Sequence, residues 1–238
     1  MTDRRAGPQC CPSIPRPAQD LRPAHPPCPA RPARRRTLRA LGLGPAGLAV
    51  ASLSTLLAGC ERPGGNRPSF KSTDITGADY GRTLALTDHT GQPRSLADYK
   101  GKVVVLFFGF TQCPDVCPTT LANMADVMKR LGPKADQVQV LFVTLDPERD
   151  VPAVLAQYVP AFDARFVGLY GDAAATAAAA KEFKIFYQKV PGKTGGTYTI
   201  DHTAASYVID KEGRLRLYVR HAQPPEDIAA DIGKLLAD

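Results

Sequence analysis

Residues 61–238 lack any excess of charge. They hold 21 Lys and Arg against 21 Asp and Glu, and the formal +7 of the 238-residue chain comes from residues 1–60, with nine Arg and two Asp. That excludes a nucleic-acid surface on the folded part, because the positive charge lies ahead of it and is not interleaved with aromatics on a domain face. A disulfide framework is lacking too. Of six cysteines, Cys10, Cys11 and Cys28 lie in a Pro/Arg-rich extension, Cys60 ends an apolar run, and only Cys113 and Cys117 fall further on. A bridge between those two would close a loop of one helical turn, too short to be a major staple, so chemistry explains the pair better than stability does. The length leaves room for one core of ordinary domain size.

What is present is organised around Lys102 to Leu121. Val103, Val104, Val105, Leu106, Phe107 and Phe108 form a continuous β-branched and aromatic run, which predicts a strand covered on both faces. Leu121, Met124, Val127, Met128 and Leu131 then recur at helical spacing until Gly132-Pro133, and Pro118 suits a first helical turn. Cys113 and Cys117 therefore fall at a strand-to-helix junction. Unpaired N–H groups and the helix dipole there favour thiolate, so both sulfurs are expected to be more nucleophilic, and better metal ligands, than ordinary cysteine. Met124 and Met128 read as the buried face of the helix rather than as thioether ligands, and Phe107, Phe108 and Phe110 as core and site wall.

Residues 1–33 are rich in Pro, Arg and Ala without an apolar period, and disorder is expected there; a translation start further downstream, leaving this piece unmade, is the alternative. Arg34-Arg35-Arg36 and Arg39 precede twenty uncharged residues, Ala40 to Gly59. The order of basic, apolar and small residues makes 34–59 a signal peptide, with only a loose likeness to a twin-arginine signal. Leu57-Ala58-Gly59-Cys60 resembles the lipobox of bacterial lipoproteins, which implies a lipid on Cys60 and a domain at the periplasmic face of the inner membrane. An uncleaved transmembrane helix is the alternative, weakened by Gly42, Gly44, Pro45, Gly47, Ser52, Ser54 and Thr55. Either way Arg34 to Arg39 stay in the cytoplasm and the domain lies outside it. Residues 60–72 read as the lipidated Cys and a flexible tether, and 73–238 as a single domain.

Within that domain, Arg82 to Thr87 alternates like a strand, followed by a turn at Asp88 to Gly91. Val138 to Leu145 is a second buried strand, Val151 to Tyr158 a helix, and Phe166 to Tyr170 a short strand. Asp172 is expected to cap an Ala-rich helix running to about Phe183. Ile185 to Val190 pairs with Thr197 to Ile200 as a hairpin, and Ala204 to Ile209 with Arg214 to Val219 as another around Asp210-Lys-Glu-Gly213. Pro224 to Leu236 closes the chain as a helix. This order predicts an α/β fold, a single thioredoxin-like domain with a central mixed sheet flanked by helices.

Gly101-Lys-Val-Val-Val-Leu-Phe-Phe-Gly-Phe-Thr-Gln-Cys-Pro-Asp-Val-Cys-Pro118, Thr144-Leu-Asp-Pro-Glu-Arg-Asp150 and Asp201-His-Thr-Ala-Ala-Ser-Tyr-Val-Ile-Asp210 resemble, in sequence and in order, the Sco/SenC family of cytochrome oxidase assembly proteins. The likeness runs from about Thr83 to Leu236. It implies a membrane-tethered thioredoxin-fold protein that binds copper and helps deliver it to the dinuclear copper centre of cytochrome c oxidase. The family's two Cys ligands fall on Cys113 and Cys117, and its His ligand on His202. The implied partners are the oxidase's copper-centre subunit and another periplasmic copper chaperone.

Copper suits these residues. Cu(I) is soft and accepts low coordination numbers, so two thiolates and one imidazole are an adequate site, as either Cu(I) or Cu(II). The Cys-x-x-x-Cys spacing puts both sulfurs on one face if helix has already begun at Cys113. In a thioredoxin-like fold, the loop entering the antiparallel hairpin packs beside the junction, and Asp201-His202 occupies that loop. Alone, His202 would read as a solvated loop histidine, as His89 and His221 still do. Asp115 either tunes the site or caps a turn. Asp146 is either an outer-shell group or a turn residue before Pro147. A competing function is a thiol:disulfide oxidoreductase that reduces the oxidase's copper-ligand cysteines, with Cys113 attacking and Cys117 resolving. The three-residue spacing and the absence of proline beside Asp201-His202 argue against a general one. A peroxiredoxin pattern is only approached by Thr111-Gln112-Cys113.

Overall fold

The structure is a computed structural model, and it describes residues 69–192 and 194–238. The extension 1–33, the signal segment 34–59, Cys60 and the tether up to residue 68 lie outside the described residues.

In chain order the elements are β1 (Thr73–Asp74), β2 (Ala85–Asp88), β3 (Pro93–Ser95), a 3-10 turn (Leu96–Tyr99), β4 (Val103–Gly109), α1 (Val116–Leu131), a second 3-10 turn (Gly132–Gln137) and β5 (Val138–Thr144). There follow α2 (Pro152–Tyr158), β6 (Val167–Tyr170), α3 (Ala173–Glu182), β7 (Tyr187–Pro191), β8 (Tyr198–His202), β9 (Ser206–Ile209), β10 (Leu215–Val219) and α4 (Pro225–Ala237). Eight strands form one sheet in the order β1-β10-β9-β4-β5-β6-β2-β3. β4, β5 and β6 run parallel, while β9 pairs antiparallel with the other side of β4. β7 and β8 form a separate two-stranded sheet.

The unbroken apolar run of β4 follows from burial on both faces. Val103, Val105 and Phe107 join one cluster, with Leu121, Met124 and Met128 of α1 and Ile228, Ile232 and Leu235 of α4. Val104, Leu106 and Phe108 point the other way, into a cluster with Ala179, Ala180 and Phe183 from α3 and its end. Period-two alternation places successive side chains on opposite faces, so a strand with helices on both sides has no polar position to show. The result is a thioredoxin-like α/β fold, a mixed sheet flanked by helices. Asp172 caps α3 as expected, accepting a hydrogen bond from the Ala175 N–H at 2.7 Å.

The N-terminal side departs from expectation. Ser69 to Ser72, assigned by composition to the flexible tether, is fastened to α4. The buried carboxylate of Asp231 accepts the Lys71 and Ser72 N–H groups at 2.7–3.0 Å, and Lys234 Nζ donates to the Ser69 carbonyl at 2.5 Å. Phe70 packs on the core beside them. An acidic residue in the apolar face of α4 is what composition overlooked, since a buried carboxylate demands donors and the backbone of 71–72 supplies them. Among the described residues, no helix is long and apolar enough to cross a membrane.

Candidate metal centre

β4 ends at Gly109, and the chain turns through 110–115 before α1 begins at Val116. Cys113 sits in that turn, half-buried, while Cys117 lies in the first turn of α1 and is fully buried. The helix has therefore not begun at Cys113, and the sulfurs converge because the turn folds back: the Cys117 N–H donates to Cys113 Sγ at 3.4 Å. A glycine is needed where the strand meets this turn. A Cβ on Gly109 would lie 2.8 Å from Cys117 Sγ and 2.9 Å from Phe142 Cε2, so only glycine lets the buried thiol rest against the strand.

His202 reaches the same point from the end of β8 rather than from a loop. Its Nε2 lies 3.6 Å from Cys117 Sγ. Its Nδ1 is 2.9 Å from the Thr203 carbonyl; a carbonyl can only accept, so Nδ1 carries the proton and Nε2 keeps its lone pair toward the sulfur. The rings of Phe107 and Phe110 meet the imidazole edge-on, with centroids 6.1 and 6.0 Å away. Burial holds the His202 pKa below the ordinary imidazole value, which favours the neutral ring that can ligate metal.

One donor atom from each of Cys113, Cys117 and His202 falls within 4.8 Å of the others. Imidazole nitrogen and thiolate sulfur bind first-row metals at about 2.0–2.3 Å, so three such donors in a plane around one ion stand about 3.5–4 Å apart. The cluster is already close to that spacing. The expected thiolate character is not shared by both sulfurs. Burial pushes the Cys117 thiol well up, outweighing its place at the start of α1, and the neighbouring Cys113 and Asp150 add to the effect. Without a metal Cys117 is a thiol, and a bound cation would be what draws its proton off.

Asp115 and Asp146 part company. Asp115 is exposed at the start of α1; its side chain makes no capping bond to the helix backbone and accepts from Thr119 Oγ1 at 3.3 Å. Asp146 is fully buried: its own N–H donates to Thr144 Oγ1, and its carboxylate accepts from Arg149 Nε and, at 2.7 Å, from the Tyr198 hydroxyl. Neither belongs to the donor cluster. His89 accepts the Gly168 N–H at 3.1 Å and His221 lies 3.5 Å from Thr120 Oγ1, so both serve locally. Met124 and Met128 are core.

Sequence reasoning missed Arg149, Tyr198 and Asp150. Asp150, buried and pushed up in pKa by that burial, accepts from the Thr111 N–H, from Thr111 Oγ1 and from Thr144 Oγ1. It ties the cysteine turn to the end of β5. The signal was in Thr144 to Asp150, where three carboxylates and an arginine follow a buried strand, but no spacing rule says which of them turns inward.

The SCO1/SenC family model matches residues 72–237. The mouse (Mus musculus) Protein SCO2 homolog, mitochondrial, is 37% identical over 156 residues, covering 65% of this chain and 61% of that protein, so the match spans less than two thirds of that relative. Among solved structures, Bradyrhizobium japonicum ScoI with copper bound is 40% identical with a TM-score of 0.62, covering 66% of this chain and 99% of that one. A SCO1/SenC family lipoprotein from Bacillus anthracis is 27% identical with a TM-score of 0.59, covering 71% and 100%.

Proposed function

Because the chain belongs to the SCO1/SenC family, we propose that it is a membrane-tethered copper metallochaperone that takes one copper ion on Cys113, Cys117 and His202 and assists assembly of the dinuclear copper centre of cytochrome c oxidase. The observation that carries this reading is the convergence of two sulfurs and an unprotonated Nε2 within 4.8 Å. Copper is cargo here, and the site suits cargo: three soft or borderline donors hold Cu(I) well, while fewer ligands than structural zinc demands leave the ion open to attack by a client's thiolates. The half-exposed Cys113 is the side from which a client would approach, and the buried Cys117 stays with the protein beside the half-buried His202. The copper-bound relative from Bradyrhizobium japonicum supports the choice of metal.

The tether belongs to the same proposal. Residues 34–59 act as a signal peptide after the extension 1–33, Cys60 carries the lipid, residues 61–68 link it to a domain whose fastened start is Ser69, and the domain faces the periplasm from the inner membrane. The lipobox-like Leu57-Ala58-Gly59-Cys60 supports it, as does the Bacillus anthracis lipoprotein relative.

A second reading has its own observation. Cys113 is the accessible thiol and Cys117 the buried one beside it, the arrangement of an attacking and a resolving cysteine. Cys113 would attack a client disulfide, and Cys117 would release the client by forming the internal bridge. Two electrons pass to the client and two thiols become one disulfide.

Titration of the reduced full chain with Cu(I) against a competing chelator decides between them. One tightly held copper per chain, weakened in His202→Ala and lost in the Cys113→Ser/Cys117→Ser double variant, is expected. No tight copper binding together with ready reduction of a protein disulfide would transfer the function to the oxidoreductase.

A further inference from the structure

His202 sits on a hairpin that the sheet does not hold. β7 and β8 pair only with each other, in a register that sets Tyr187 opposite His202. Ile200 is the one fully inward apolar residue of β8. Tyr187 and Tyr198 pack on the core more shallowly, and the polar attachment gathers on one side chain. Arg149 donates through Nη1 to the Tyr198 carbonyl and to Gln112 Oε1, both at 3.0 Å, and through Nε to Asp146. Its guanidinium lies 3.7 Å over the Tyr198 ring and 5.9 Å from the Phe110 ring, which itself packs edge-on against His202. The Tyr198 hydroxyl closes the circuit on Asp146 at 2.7 Å.

The partners of that guanidinium decide what it does. Gln112 is the neighbour of Cys113, and Tyr198 begins the strand that ends in His202. One rigid, planar fork therefore joins the two halves of the donor set, the cysteine turn and the histidine hairpin, with Asp146 as the buried anchor. A lysine in its place would keep the charge and lose the fork and the stacking. Lys189 and Glu148 also link hairpin and loop, at 2.7 Å, but both are largely exposed, and such pairs contribute little.

We propose that Arg149, with Asp146 and Tyr198, is a latch that positions His202 for copper and sets how readily the third ligand is withdrawn. This rests on the copper-site reading above. Arg149 is a positioning residue and touches no metal. With the latch shut, Nε2 is held beside the sulfurs; with it open, the hairpin keeps its internal pairing but the imidazole leaves, and copper remains on two thiolates from which a client can take it.

The test uses the reduced full chain and Arg149→Lys, Tyr198→Phe and Arg149→Ala, with His202→Ala as the benchmark. Arg149→Ala also strands the buried Asp146 carboxylate and can unfold the chain, whereas the lysine and phenylalanine variants keep the anchor's charge balance. Three readouts are taken: the rate of Cu(I) loss to a chelator, imidazole scattering in the X-ray absorption of the copper form, and amide hydrogen exchange of the metal-free chain. The expected result for Arg149→Lys is about tenfold faster copper loss with weakened imidazole scattering, and no further acceleration when it is combined with His202→Ala, since residues acting through one contact are not additive. Amides of β7 and β8 exchange faster while those of β4 and β5 do not. Unchanged imidazole scattering, or an equal acceleration in the His202→Ala background, overturns the latch. If the parent chain holds no copper, the copper-site reading falls instead, and hydrogen exchange then judges the latch alone: equal protection of the hairpin in parent and Arg149→Lys overturns it.

Discussion

Cys113 and Cys117 are set by a strand paired on both sides and buried on both faces, whereas His202 is set by a hairpin outside that sheet, fastened mainly by one guanidinium and one phenol around Asp146 and by the packing of Ile200 and Tyr187. The first arrangement is chiefly non-directional packing spread over many contacts, to which the hydrogen bonds of buried Asp150 add a tie between the cysteine turn and β5. The second is a few directional bonds around a buried carboxylate, so one residue can release it. A donor set divided in this way keeps two ligands fixed and makes the third adjustable.

The comparison breaks most severely on the packed side. Phe142 is fully buried in β5 and touches the place where Gly109 meets Cys117, so Phe142→Ala should cost about 3–5 kcal/mol of unfolding free energy. Denaturant titration checks it, and a loss below about 1 kcal/mol would mean that the strand is not the rigid half. Asp231→Ala comes next. It removes a buried acceptor of the Lys71 and Ser72 N–H groups, with an expected loss of about 2–3 kcal/mol and new protease cleavage near Ser69 to Ser72. Gly109→Ala should cost about 1–3 kcal/mol by overpacking and, by displacing Cys117 Sγ, should weaken copper binding without any change to the hairpin. Equal copper affinity in that variant would show that the thiol has room to move.

The smallest effect sharpens the contrast through pH. Asp210 closes the β9–β10 hairpin, part of the main sheet. Burial would raise its pKa, but hydrogen bonds from the Arg214 N–H and from the Arg216 and Arg214 side chains outweigh that and hold it below the ordinary carboxylate range. A depressed folded pKa contributes stability that is present above the unfolded carboxylate value and is lost as pH falls through the folded one. Asp210→Asn should therefore flatten the acid limb of the stability curve below about pH 4, the ordinary carboxylate value, and leave stability near neutrality lower than in the parent. An unchanged acid limb would show that other carboxylates govern it.

Much of the scaffold was legible because burial on both faces writes itself as an unbroken apolar run. β4, β5, α1, α4 and both hairpins lie where residue patterns place them, within a few residues. The donor residues were legible through the Cys-x-x-x-Cys spacing and the resemblance, yet three details were not. The helix begins after Cys113 rather than before it, His202 ends a strand, and burial keeps Cys117 a thiol. Each depends on how far the turn folds back onto the strand, a distance no local periodicity encodes. β1 and β3 escaped notice because strands of two and three residues are too short to show alternation.

The sequence by itself determined the α/β order of elements, the formal neutrality of residues 61–238 and the pairing of the two thiols, because these follow from composition and spacing along one chain, while the imidazole was singled out by the resemblance to the family. Only the tertiary structure decided that Asp231 fastens the start of the domain, that Asp146 is an anchor while Asp115 faces solvent, and that Arg149 joins the two halves of the site. Those are meetings between residues tens of positions apart, and whether a charged side chain turns inward is settled by the donors and acceptors that folding brings to it.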